Sequence, residues 1–329
     1  MNKVSVLMPA YNAERYVLKS VNAILAQSHE NLELLICDDA STDATFQLLS
    51  GISDERVKIY KNDENLGYLK TCNKLAALAT GCFISFQDAD DEAHSERFEK
   101  LLAALIKNQW DLVGSNVNYI NELGQTIGRS YYSLDVSPSF LADNDMPFCG
   151  SAVLCKRKVI TEIGLYDEAF DRLGAEDYDW IYRAALIFTL GNVEQPLYSY
   201  RMHADSVSNL TSLRISSQLF TEHIAKELYI ARKNNQLTLS PTEFITQKKI
   251  YWTEHLAHDQ TAILLKKSSI NALSGKKISN LTLIWPLLCC PSTLNVKLRA
   301  VSLVILAIVL GYGRLFKLKT FYKKIFCQH

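Results

Sequence analysis

The chain has 329 residues, 48% of them hydrophobic and 21% charged, long enough to bury a sizeable core and too apolar to stay disordered. The same composition excludes a polytopic membrane protein. Its 35 basic and 35 acidic residues cancel, but not evenly: Asp259 is the last acid and eleven bases follow it, so residues 1–259 are net −11 and the last 70 are net +11.

The eight cysteines show no CxxC or zinc-ligand spacing, and the first residues enter a strand without the core of a signal peptide. A reduced, cytosolic setting is expected. Along the chain, short β-rich runs alternate with helical patterns. Val4 to Met8 precedes a helix from about Glu14 to Gln27, and Leu32 to Cys37 precedes one from about Ala44 to Leu49. Val57 to Lys61 leads through NDENLGY into Leu69 to Ala79; Cys82 to Gln87 leads through DADDE into a helix ending at Asn108, with Ser95 as its N-cap. This β-α-β-α order predicts an α/β fold with a parallel, doubly wound sheet, whose ligands sit at the carboxyl ends of the strands.

Leu112 to Asn118 reads as a fifth strand and Asn121 to Gln125 contains a turn. The following run, SYYSLDVSPSFLADNDMPFCGSA, is too long for a tidy connection and reads as a functional or mobile loop region. Val159 to Ile163 is helical and stopped by Gly164; a helix opens near Glu176 and runs to about Gly191; Pro196 to Met202 is a last strand, and helix is expected from about Leu210 onward.

The chemistry lies in the loops. FQDADDE puts Asp88, Asp90 and Asp91 within four residues, directly after a strand. Their mutual repulsion is relieved by a divalent cation, and hard oxygen ligands favour magnesium or manganese bridging to phosphate. The same run also reads as a solvated acidic turn at a helix start. CDDASTD carries Asp38 and Asp39 ahead of Ser41, Thr42 and Asp43, which serve as helix caps; MPAYNAE carries Tyr11, a ring that stacks on a base or packs internally. GAEDYD crowds Glu176, Asp177 and Asp179 at a helix start, either for the dipole or as a general base, and YRMHADS sets Arg201 and His203 beyond the last strand. P-loop and dinucleotide-binding glycine patterns are absent.

Taken together, VSVLMPAYNAE, LLICDDASTDAT, NLGYLKTCN, FISFQDADDE, IGLYDEAF, GAEDYDWIYR and YRMHADSVS resemble, in the same order, the family 2 glycosyltransferases of the bacterial polysaccharide and lipopolysaccharide type. The resemblance covers about residues 3 to 208. It implies a GT-A fold, Rossmann-like with a mostly parallel sheet flanked by helices, and an inverting enzyme that uses a nucleotide sugar. Pro9, Tyr11, Glu14 and Asp39 would bind the nucleotide, with Asp39 at the uracil edge. Asp88 and Asp90 form the DxD motif, Asp90 as metal ligand and Asp88 nearer the sugar. Asp177 corresponds to the catalytic base and His203 to an added metal ligand, with Asp91, Glu176 and Arg201 in support. The QxxRW signature of processive members is missing, which disfavours a polymerising synthase.

Between Arg299 and Arg314 lie fourteen uncharged residues, about 21 Å of helix against about 30 Å of bilayer hydrocarbon. Spanning is disfavoured; the alternatives are a buried helix or, given the flanking lysines, a segment at about 281–326 that rests on an anionic membrane surface. The expected organisation is a catalytic domain at 1–210, with a nucleotide-sugar half at about 1–118 and an acceptor half at about 119–210, then a basic helical region at 211–329. The expected enzyme moves one sugar from a nucleotide-sugar donor, a UDP-sugar, onto a glycan or lipid-linked acceptor at the inner face of the cell membrane, with no nucleic-acid partner. Two rivals are a metal-dependent phosphatase built on DADDE, which would want Thr or Val in place of Glu92, and a non-catalytic nucleotide-sugar-binding protein.

Overall fold

The computed structural model describes residues 2–144, 146–203 and 212–256. The first strands and helices follow the sequence closely: β1 (Val4–Ala10), α1 (Val17–Leu25), β2 (Leu32–Asp38), α2 (Thr45–Ser50), β3 (Val57–Lys61), α3 (Tyr68–Leu78) and β4 (Phe83–Phe86). Every residue of β1, β2 and β4 is buried, the pattern of strands covered on both faces. α1 covers one face with Val17, Val21 and Ile24, spaced at helical intervals, and these join Val4, Val6 and Met8 in a single core.

After β4 come the two-residue β5 (Glu92–Ala93) and α4 (Arg97–Lys107). α4 starts two residues after Ser95, with Glu96 in the N-cap position and no side-chain cap. The carbonyl of Ser95 instead accepts the Ser28 N–H at 2.8 Å. β6 (Leu112–Ile120) and β7 (Thr126–Arg129) form a hairpin over the expected 121–125 turn, where Asn121 Oδ1 accepts the N–H groups of Leu123 and Gln125.

The irregular run 130–152 contains α5 (Pro138–Asp143), which is capped by Ser137, and a 3-10 turn at Gly150–Ala152. It leads into β8 (Leu154–Lys156), a strand too short to show any alternation, then α6 (Arg157–Ile163). α7 (Glu176–Ala185) ends six residues sooner than expected, because β9 (Leu190–Arg201) begins early. Two helices follow, α8 (Ser212–Lys233) and α9 (Pro241–Leu256).

Among the described residues the strands form one sheet in the order β3-β2-β1-β4-β8-β6-β9-β5, with β7 on β6. The expected parallel set is β3-β2-β1-β4. β8, antiparallel to both neighbours, lies between β4 and β6. The described chain divides into two compact units. One holds the described residues of 1–117, 132–200 and 225–238; the other holds those of 118–131, 201–224 and from 239 on. No helix of the described residues is long and apolar enough to cross a membrane. The segment at about 281–326 lies outside the described residues.

Candidate active site

The first unit gathers the loops that follow β1, β2, β3 and β4 along the carboxyl edge of the parallel strands. The loops after β1 and β2 are laced together. Ser41 Oγ accepts the Asn12 N–H, Asn12 Oδ1 accepts the Thr42 N–H, and Asp43 accepts from both Glu14 and Thr45. Ser41 and Thr42, expected as caps of α2, therefore bind the neighbouring loop instead; the N-cap position is Ala44, without a side-chain bond. Glu14 reaches across to accept the Ala44 N–H at 2.9 Å. Pro9 is buried within β1 and Tyr11 is half exposed, a ring presented to solvent at the strand end.

Asp39 is buried and organises the loop after β3. One carboxyl oxygen accepts Asn62 Nδ2 at 2.7 Å and the Leu66 N–H at 2.9 Å; the other accepts the Gly67 N–H at 2.9 Å. Gly67 has φ +88°, open to glycine without strain. Asp38 beside it is fully buried, with one oxygen accepting the Ser41 N–H at 3.3 Å.

Asp88 is the hub of the β4 loop. Tyr68 donates to one carboxyl oxygen at 3.0 Å and Ser151 to the other at 2.5 Å, while the Asp88 N–H donates to the Tyr198 hydroxyl at 3.1 Å. The Ser151 bond has the length of a charge-assisted O–H···O⁻ contact. Burial first, and Asp90 second, nevertheless push the Asp88 carboxyl up to about 6. The buried Arg97 guanidinium donates to Ser85 Oγ, the Phe86 carbonyl, Gln87 Oε1 and the Ser151 carbonyl. It fastens the β4 loop to the 150–152 turn.

Asp177 reaches the same place from α7. A Cβ built on Gly150 would lie 2.4 Å from Asp177 Oδ2 and 2.7 Å from its Cβ, so only glycine lets that carboxylate settle here. The acid of α7 and the acid of the β4 loop are thus separated by Gly150 and Ser151. Burial and Asp177 also raise the neighbouring Glu176 carboxyl, with Asp88 and Asp171 adding to the effect. Beneath them Phe86, Tyr166 and Trp180 pack ring against ring, Phe86 to Trp180 edge-on at 5.6 Å, and tie β4 to α7 through the IGLYDEAF segment.

Arg201 and His203 belong to the second unit. There the buried Arg201 guanidinium donates to the carbonyls of Asn121 and Glu122. Tyr68, Arg97 and Tyr198 were not singled out from sequence. Arg97 alone left a signal: it shares the apolar stripe of α4 with Leu101 and Leu105, where a cation must be buried and partnered.

Among the described residues no three His, Cys, Asp or Glu side chains converge as a self-sufficient metal site. Magnesium commonly takes one or two carboxylates and completes its shell with water and substrate phosphates. The repulsion between Asp88 and Asp90 is the chemistry such an ion relieves, so the residues present fit a metal shared with a diphosphate.

Loops gathered at the carboxyl edge of parallel strands are where such α/β sheets bind ligands. The sequence model described as glycosyl transferase family 2 matches residues 5–164. An uncharacterized glycosyltransferase of Haemophilus influenzae is 32% identical over 68% of this chain and 75% of its own length. The putative glycosyltransferase EpsE of Bacillus subtilis is 29% identical over 74% and 86%. The crystal structure of S. aureus TarS 1-349 in complex with UDP superposes with a TM-score of 0.54 at 18% identity, covering 93% of this chain and 90% of that one. The chain belongs to glycosyl transferase family 2 and is a glycosyltransferase.

Proposed function

We propose that the enzyme is an inverting transferase that moves one sugar from a UDP-sugar to a lipid-linked glycan acceptor during surface polysaccharide assembly. The observation that carries this reading is the meeting of Asp177 and Asp88 across Gly150 and Ser151. It sets a base-bearing helix start beside a donor-side loop, the separation of roles that a one-step displacement at C1 requires. Asp177 takes the acceptor proton as the hydroxyl attacks from the face opposite the nucleotide. Pro9, Tyr11, Glu14 and Asp39 hold the nucleotide, and Asp88 orients the sugar with Asp91 and Glu176 in support. Magnesium or manganese held by Asp90 would neutralise charge on the departing diphosphate.

The acceptor class is supported by a relative named as an Escherichia coli UDP-Glc:alpha-D-GlcNAc-diphosphoundecaprenol beta-1,3-glucosyltransferase, 31% identical over 53% of this chain and 66% of its own length. The donor nucleotide is supported by the UDP in the TarS structure. A catalytic part at 1–210 followed by a basic region at 211–329 suits work on an acceptor at the inner face of the cell membrane, with the last 70 residues, net +11, on its anionic surface.

The test is product formation from a panel of UDP-sugars with a polyprenyl-diphosphate sugar acceptor, manganese present, with and without chelator. Transfer that the chelator stops is expected. Nucleotide binding without turnover would leave a binding protein, and phosphate release from simple phosphomonoesters would revive the phosphatase reading.

A further inference from the structure

α7 carries the proposed base, yet its start is poorly secured by its own sequence. The N-cap Ala175 has φ 64° and offers no side-chain cap, and Arg172 and Gly174 before it also have positive φ. Left-handed conformations at two non-glycine residues cost about 1 kcal/mol or more each and persist only where neighbours hold them.

Arg172 donates to the Asn65 carbonyl at 2.8 Å, and beyond its start α7 is fastened by α8, some fifty residues further along the chain. Asp179, two residues after Asp177 and turned to the other side of the helix, is fully buried. Its oxygens accept Arg183 Nε at 2.7 Å and Arg232 at 2.5 Å. The Arg183 guanidinium also donates to the carbonyls of Ile163 and Leu165. One turn back along α8, the Tyr229 ring stacks on Tyr182 at 4.7 Å and 17°, and its hydroxyl donates to the Pro138 carbonyl at 2.9 Å. Lys226 and Lys233 add bonds to the carbonyls of Asn144 and Pro138. Ala225–Thr238 lies in the same compact unit as α7.

From this we infer that Arg232 is a positioning residue for the transfer step, latching α7 through Asp179 so that Asp177 rests against Gly150. The inference builds on Asp177 as the base. A buried carboxylate that loses one of two guanidinium partners is left partly uncompensated and shifts toward water, which rotates α7 about the unsupported Ala175. Nucleotide contacts from the loops after β1 and β2 do not involve α7, so the loss falls on turnover and not on donor binding.

The experiment compares the full-length wild type with R232M and R232K, measuring kcat, KM for the UDP-sugar, and amide hydrogen exchange. Displacements of about 1 Å at a reacting group cost up to about 100-fold. R232M is therefore expected to lose about 10- to 100-fold in kcat with KM unchanged within about twofold. Exchange should accelerate at 176–181 and stay as in wild type across β1, β2 and β4. R232K, which keeps the charge, should recover part of the kcat. Unchanged kcat in R232M overturns the proposal, as does a loss shared equally by kcat and UDP affinity with faster exchange throughout the sheet. If R232M does not fold, R232K decides: a lowered kcat at wild-type UDP affinity supports the latch, and wild-type kcat ends it. A wild type that transfers nothing would count against Asp177 as base, whereas the exchange pattern still judges the latch.

Discussion

Two carboxylates at opposite edges of the parallel strands behave in opposite ways. Glu33 lies near the amino end of β2 and is almost fully saturated: Ser5 Oγ, Thr80 N–H and Thr80 Oγ1 donate to one oxygen, Lys3 and Lys58 to the other. Burial acts to raise its pKa, but these donors together hold it far below the usual range. Asp88, at the carboxyl end of β4, receives only two hydroxyls, faces Asp90, and is pushed up to about 6. The polar groups around Glu33 at the amino edge satisfy one another; Asp88 at the carboxyl edge is left with fewer donors and a like charge beside it. Stability and function are divided between the two ends of the same strands.

Substitutions at the two ends should separate these roles. Asp177→Asn removes the base, so transfer should fall by about 10³-fold or more while UDP affinity by calorimetry stays near wild type. Equal loss of both would detach Asp177 from the chemistry. Gly150→Ala presses a methyl group into that carboxylate. It should lower kcat by about 100-fold and leave the donor KM within about twofold.

At the other end, Glu33→Gln should leave kcat alone and cost about 2 kcal/mol at pH 7, a fall of about 5 °C in Tm. Because the folded pKa of Glu33 lies below its ordinary 4.5, its contribution is present above pH 4.5 and fades as the pH drops below that value. The Tm gap should narrow accordingly in acid. The smallest effect has the opposite sign. Asp88 is raised, so between about 4 and 6 the native state holds the extra proton and stability falls as pH rises. Asp88→Asn should therefore raise Tm by a degree or so at pH 7, an increment that vanishes below about pH 4, while abolishing transfer. A lower Tm at pH 7 would mean that Ser151 and Tyr68 compensate Asp88 more fully than its raised pKa implies.

The sequence made the parallel strands legible because β1, β2 and β4 are largely apolar runs, each followed by a polar loop. It hid β8, because Leu154–Lys156 is shorter than any periodicity. Ser41, Thr42 and Ser95 were misassigned as caps for a simple reason: the pattern S/T before a helix is local, whereas their partners, Asn12 and Ser28, lie on other loops. The resemblance named Asp88 and Asp177. Nothing in their spacing of 89 residues said that a glycine and a serine would stand between them, and the reach of Arg232 to Asp179 is equally non-local.

The direction of β8 has a consequence for how much this enzyme can vary. Ser85 pairs with Leu154, and its hydroxyl donates to the Val153 carbonyl. A strand running alongside β4 in the same sense would bring its exit loop to Asp88. The reversed strand brings its entry loop, so Gly150 and Ser151 are clamped to β4 by ladder bonds only a few residues away. The turn that stands between Asp88 and Asp177 is thus held by the sheet itself.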